Sequence, residues 1–316
     1  METKTALVRF TFLAIAVLYS FATSSFTPHD LISAPRTGPA IPNPNATMAV
    51  CTQSEYSFQR DGTYGGLYLL TIDSKSSSSA TLIVNDTRAH HPIWLDDRTI
   101  LYIYTQKGKS CLKTFNVASK EETDVISFLG AIADLQGLIL DSKTVRFAFS
   151  AKVTPRGDIG DANETEVPDA LVYDKLWVRH WDEWSTPTRY AIFSGTLILQ
   201  DGKYVIGDSP RNMLNGSLDF HDLECPVPPF GGTEDFSLSK RYLAFVSKDP
   251  HLNPATNTAA HIYVVALNDS TFVEQINRGP GASSSPVWSP DGKVLAYLEM
   301  RVKGYESDRK AYLVLL

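Results

Sequence analysis

The sequence predicts an all-β protein built as an incomplete ring of four-stranded antiparallel sheets, and three observations carry that prediction. Runs of five to seven residues rich in Val, Ile, Leu, Tyr and Phe recur along the 316-residue chain, each bounded by turn residues. Segments with apolar residues every three or four positions are scarce, and the nearest, Val125 to Leu135, is interrupted by Gly130. One block then repeats: an aromatic residue, a polar turn, and an apolar strand. Its copies are Pro92 to Ile103 (PIWLDDRTILYI), Gly137 to Phe149 (GLILDSKTVRFAF), Asp235 to Phe245 (DFSLSKRYLAF) and Pro286 to Tyr297 (PVWSPDGKVLAY). The turns fall near residues 96, 141, 239 and 291. Apart from a middle gap of two repeat lengths, the spacing is close to the ~40–50 residues of a propeller blade. A single copy signals only a hairpin, whereas four at one period signal radial repetition, in which stacked sheets cover each other's faces. A partial β-propeller of about four blades plus part of another is therefore expected, in preference to a sandwich.

Taken in order, the elements begin with a leader. Lys4 and Arg9 precede the apolar run Phe10 to Phe21, and the small residues Ser20 to Ser24 follow, the order of a secretory signal peptide over residues 1–24. The run is shorter than the ~20 apolar residues of a membrane span, so no membrane association is expected once the signal is removed. Five Asn-x-Ser/Thr acceptors, at Asn45, Asn85, Asn163, Asn215 and Asn268, agree with a secreted, extracellular glycoprotein. Residues 25–46 form a Pro-rich segment, and Pro28 to Pro44 is expected to run extended rather than helical. The remainder, 47–316, is the propeller domain. Its strands are expected at Leu67 to Ile72, Ile100 to Tyr104, Val145 to Phe149, Tyr190 to Phe193, Tyr242 to Val246, His261 to Leu267 and Val294 to Leu298. The double interval between residues 141 and 239 is either a further degenerate blade or one blade carrying an insertion. Cys51, Cys111 and Cys225 allow at most one internal disulfide, in any of three pairings.

Composition excludes several functions. A net charge of −6 and the lack of a basic block argue against a nucleic-acid partner. The sequence contains no Gly-x-Ser-x-Gly elbow, no phosphate-binding glycine loop, no dinucleotide fingerprint and no His-Glu-x-x-His. The adjacent His90 and His91 would point to opposite faces of a strand, so no metal and no cofactor are expected. The chemistry-bearing stretch is Tyr173 to Trp184 (YDKLWVRHWDEW), where Arg179, His180, Asp182 and Glu183 lie among three tryptophans. Paired carboxylates there could hold an ammonium group flanked by Trp, making these four the substrate-facing candidates. The competing reading has the tryptophans packing between blades while Arg179 and Asp182 pair structurally. Tyr305 to Arg309 is a second charged cluster, read as a solvated hairpin loop.

Several blocks in one order carry a family resemblance: FTPHDLISAPRTGPAIPNP, YDKLWVRHWDEW, PPFGGTEDFSLS, SSSPVWSPDGKVLAYLEM and GYESDR. From about Phe26 onward the chain resembles the N-terminal portion of secreted fungal dipeptidyl-peptidase V, a serine peptidase of the prolyl-oligopeptidase-like group. The resemblance implies a propeller that covers a C-terminal α/β-hydrolase domain carrying a Ser-Asp-His triad. It also implies release of dipeptides from free N-termini, with oligopeptides as partners of the full-length enzyme. The sequence stops within the apolar run Ala311 to Leu316, and no position matches a triad motif, so no catalytic residue is assigned. The expectation is an open, marginally stable propeller, inactive by itself. The alternative is a secreted propeller that acts as a non-catalytic binding module.

Overall fold

A computed structural model describes residues 26–72, 80–161, 170, 172–174, 178–180, 183–215, 223–271, 273–304 and 308–315, without the side chains of His180, Glu183 and Leu315. The expected signal peptide, Asn163, Asp182, and two of the three clustered tryptophans lie outside the described residues.

The Pro-rich segment departs from expectation at its start. Pro28–Ser33 is a short helix, α1. Thr27 accepts from the Asp30 backbone N–H while Asp30 accepts in return from the Thr27 N–H, and Pro28 occupies a first-turn position where a missing donor costs nothing. Proline initiates this helix instead of forbidding it.

The segment then joins the first of five consecutive antiparallel sheets. β1 (Arg36–Thr37) and β2 (Ile41–Pro42) share one edge of β3 (Met48–Ser57), followed by β4 (Gly62–Thr71) and β5 (Ala80–Val84). The second sheet runs β6 (Ala89–Trp94), β7 (Thr99–Gln106), β8 (Lys109–Asn116) and β9 (Glu122–Phe128). The third contains β10 (Ile132–Ile139) and β11 (Thr144–Val153). A separate hairpin, β12 (Arg179–His180) with β13 (Glu183–Trp184), intervenes before β14 (Arg189–Gln200), β15 (Lys203–Ile206) and β16 (Arg211–Asn212) complete that sheet. The fourth holds β17 (Phe236–Leu238), β18 (Tyr242–Lys248), β19 (Ala260–Ala266) and β20 (Val273–Gln275). The fifth has three strands, β21 (Ser283–Trp288), β22 (Leu295–Met300) and β23 (Lys310–Leu315). The double interval is thus one sheet with an insertion, since β11 pairs directly with β14 from Thr144↔Ile198 to Val153↔Arg189.

Strand alternation explains why these sheets stack. In β7, Ile100 and Tyr102 join a core shared with the first sheet, while Leu101 and Ile103 join the core shared with the third. In β18, Leu243 and Phe245 face the third sheet, and Ala244 and Val246 face the fifth. Each interior sheet therefore buries both faces, as a period of two delivers. Polar ties link neighbouring sheets: Trp94 Nε1 donates to the Ile41 carbonyl at 2.8 Å, Gln136 Nε2 to those of Thr233 and Phe236 at 2.7 and 2.8 Å, and the Trp288 N–H to Ser237 Oγ at 3.2 Å. This is the propeller architecture, with an open final sheet. The alternative reading of the Tyr173–Trp184 stretch, with its tryptophans packed between blades, does not hold for Trp184, which is 58% exposed; Trp177 and Trp181 lie outside the described residues.

The repeated turn has one chemistry. It always joins the first and second strands of a sheet, and a side-chain oxygen caps the N–H groups that follow. Asp96 accepts from Arg98 and Thr99, Asp141 from Lys143 and Thr144, Ser239 from Arg241 and Tyr242, and Ser289 from Val294. A fifth copy, not anticipated from sequence, opens the first sheet, where Asn43 Oδ1 accepts from the Thr47 and Met48 N–H groups. All three cysteines are free thiols, Cys51 and Cys225 buried, so no internal disulfide forms.

Candidate functional site

The sheets have two unlike ends. One carries the short capped turns; the other carries the long connections 154–188, 213–235, 249–259 and 301–309. Chemistry-bearing side chains gather at the long-loop end, and strand bulges help to put them there. The inner strands β6, β10 and β21 each shift register between residues 90 and 93, 133 and 136, and 284 and 287. Each bulge places one residue at positive φ: His91 at 48°, Asp134 at 53° and Ser285 at 55°.

At the first bulge the expectation for the histidine pair is overturned. The left-handed backbone at His91 cancels the usual alternation, and the rings meet with His90 Nδ1 2.7 Å from His91 Nδ1. His90 Nε2 lies 2.9 Å from Thr105 Oγ1, and burial pushes its pKa down to about 4, with His91 adding repulsion. His91 Nε2 stands 3.8 Å from Asp134 Oδ1. Among the described residues no three His, Cys, Asp or Glu side chains converge as a metal ion would require.

Asp134 links the third sheet to the second and to the turn that precedes β17. It accepts from Ser150 Oγ at 2.5 Å and from Thr233 Oγ1 at 3.3 Å, and it faces His91 of the second sheet. An activated serine donates to an imidazole that a carboxylate orients. Here the hydroxyl donates to the carboxylate itself, so Ser150 is not a primed nucleophile. Asp134 and Ser150 line a cavity of about 310 Å³ with Tyr190, Pro226 and Pro228.

A second cavity, of about 250 Å³, adjoins it across Tyr190 and Pro228 and is lined also by Trp184, Lys152, Lys248 and Glu224. Glu224 Oε1 accepts the Tyr190 N–H at 2.9 Å, and the Glu224 N–H donates to Ser247 Oγ at 3.0 Å, fixing the carboxylate between the third and fourth sheets. Burial raises its pKa, opposed by that hydrogen bond and by Lys152, Arg189 and Lys248. Lys152 Nζ lies 5.6 Å from the Tyr190 ring centroid.

The sequence candidates reach this place in part. Arg179 and His180 pair with Trp184 and Glu183 across the inserted hairpin. The exposed Arg179 has its guanidinium 5.9 Å from the Trp184 ring centroid, and Trp184 forms one wall of the Glu224 cavity. Asp182 and the side chains of His180 and Glu183 are outside the described residues. The structure therefore pairs Arg179 with Trp184. Glu224, Tyr190, Lys152 and Asp134 were not anticipated. Each is a lone residue in an unremarkable local pattern, and only the meeting of sheets groups them.

No family model matches the sequence. Among curated proteins, the probable dipeptidyl-peptidase 5 of Emericella nidulans is 35% identical over 94% of this chain and 43% of its own length. The dipeptidyl-peptidase 5 of Trichophyton equinum is 37% identical over 92% of this chain and 42% of itself, and that of Aspergillus fumigatus 33% identical over 96% and 44%. By sequence, this chain is similar to fungal dipeptidyl-peptidase 5. It spans less than half the length of those relatives. Among solved structures, Pyrococcus horikoshii acylaminoacyl peptidase superposes with a TM-score of 0.54 at 10% identity, covering 85% of this chain and 36% of that one. A puromycin-hydrolyzing peptidase of Mycobacterium tuberculosis superposes with a TM-score of 0.51 at 9% identity, covering 89% and 36%. These two likenesses show the fold. The resemblance to dipeptidyl-peptidase 5 expected from the sequence blocks is borne out.

Proposed function

We propose that this chain is the propeller part of a secreted serine dipeptidyl-peptidase, and that its long-loop end admits and orients short peptides for a hydrolase domain outside this sequence. The observation that supports the reading is the shared identity with dipeptidyl-peptidase 5 along more than nine-tenths of this chain but less than half of the relatives. The five-sheet architecture agrees with it. By this reading the chain alone is inactive, because acyl transfer needs an activated nucleophile and an oxyanion hole, and the motifs for both are absent from the sequence. The hairpin that carries Arg179, His180, Asp182 and Glu183 would supply the substrate-facing groups, with the carboxylates of Asp182 and Glu183 taking the peptide's N-terminal ammonium.

The test has two arms. The purified chain is expected to show no turnover of a dipeptidyl chromogenic substrate, and turnover that persists after contaminating proteases are inhibited would overturn the reading. In a longer enzyme containing this propeller, Asp182→Asn with Glu183→Gln is expected to raise KM by about tenfold or more with a smaller effect on kcat. An unchanged KM would remove the acidic pair from the site.

A further inference from the structure

A different site lies at the opposite, short-turn end. A cavity of about 390 Å³ opens between the third and fourth sheets, walled by Arg146 of β11, by the β17–β18 turn at Lys240 and Arg241 with Tyr242, and by the end of β19. Arg211 of β16 reaches the same wall, donating through Nη2 to the Leu267 carbonyl. Three cationic side chains thus line the cavity where two sheets meet, with Arg211 beside it.

Arg146 is the unusual member. It is half-buried, and its Nε is enclosed without a hydrogen-bond partner. Burial pulls its pKa down, and Arg211 adds to that while Asp208 opposes it. The nearby carboxylates hydrogen-bond to other groups. Asp208 accepts from Thr196 Oγ1 at 3.0 Å, and Asp269 caps its own turn through the N–H and hydroxyl of Thr271. Enclosing a guanidinium nitrogen that lacks an acceptor lowers stability, and proteins rarely retain such a group unless something offsets it. A planar fork of N–H donors facing a polar cavity matches an oxyanion that can accept several of them at once.

We propose that this cavity binds a small oxyanion of the phosphate or sulfate type, held by Arg146 at its floor and by Lys240 and Arg241 at its rim. The site is separate from the long-loop end and does not depend on the peptidase reading. An anion here would stitch the β17–β18 turn to β11, locking the third sheet to the fourth.

The test is isothermal titration of the purified chain with inorganic phosphate in a sodium chloride buffer of constant ionic strength, beside thermal unfolding in chloride alone. Saturable binding is expected for the native chain. Arg146→Met is expected to weaken it by about tenfold or more, and the surface double variant Lys240→Ser/Arg241→Ser by about threefold or more. In chloride alone, Arg146→Met is expected to unfold at or above the native temperature, because it removes a half-buried charge whose Nε has no acceptor. Absence of saturable binding to the native chain overturns the proposal, as does phosphate affinity unchanged in both variants. An unfolded or clearly less stable Arg146→Met also overturns it, since the guanidinium would then be a structural cation already compensated within the fold.

Discussion

At the scale of single residues, Asp235 shows how the long-loop end sets its own electrostatics. It is 7% exposed, and its Oδ2 accepts the Val227 N–H at 2.8 Å. Burial, helped by Glu234 and Asp134, raises its pKa from 3.8 to about 6. A carboxyl whose pKa is higher when folded stabilises the fold below its unfolded value and loses that contribution as pH rises through its folded value. Asp235 should therefore weaken the fold by about 2 kcal/mol between pH values near 4 and just above 6. Asp235→Asn keeps an acceptor for Val227 and removes the charge. Denaturant unfolding is expected to show the variant more stable than the native chain at pH 7.5, with that advantage gone at pH 4; equal stability at both would exclude this account. His90 works in the opposite sense. With a pKa lowered to about 4, it contributes stability above its unfolded pKa of 6.5 and loses it as pH falls through the folded value. Neither shift was legible in the sequence, because desolvation comes from neighbours on other sheets. The Trp-rich stretch around Arg179 was legible, since its composition is local.

At the scale of elements, legibility followed the range of the interaction. The turns at Asp96, Asp141, Ser239 and Ser289 cap N–H groups two to five residues away, so their chemistry is written in adjacent letters. The equivalent turn at Asn43 lies within the Pro-rich segment expected to run extended, which hid it. Helix α1 departs from the extended expectation because the Thr27–Asp30 capping pair starts a helix whose first turn accepts Pro28. The histidine rings meet because the bulge at His91 suspends the strand alternation that would place them on opposite faces. Strand β4 carries a further local constraint. Gly65 has φ of 132°, and a Cβ there would fall 2.1 Å from the Gln53 carbonyl oxygen of β3. Gly65→Ala is expected to destabilise the chain by about 2 kcal/mol or more, read as a lower denaturant midpoint with an unchanged slope. An unchanged midpoint would mean that β3 and β4 separate without cost.

At the scale of the whole molecule, stability should be distributed unevenly along the row of sheets. The third sheet sits within the largest core, where Phe149 stacks on Phe193 at 5.6 Å and meets Phe128 edge-on at 5.0 Å. The fifth sheet has three strands, and Tyr312 and Val314 of β23 are 84% and 58% exposed. Nearest-neighbour coupling between repeats then predicts graded amide exchange, slowest in β11 and β14 and fastest in β22 and β23. Uniform protection across all five sheets would instead mean that the chain opens as one unit.

The sequence by itself determined the repeating sheet, the capped turn that opens it, and the kinship with dipeptidyl-peptidase 5, because strand alternation and turn capping act between residues close along the chain. Only the tertiary structure decided that the long interval is one sheet with an inserted hairpin. It also brought Asp134, Ser150, Tyr190 and Glu224 to one end, and gathered Arg146, Arg211, Lys240 and Arg241 at the other. Those groups are set by how the third sheet packs against its neighbours, a contact between residues up to about a hundred positions apart that no local pattern records.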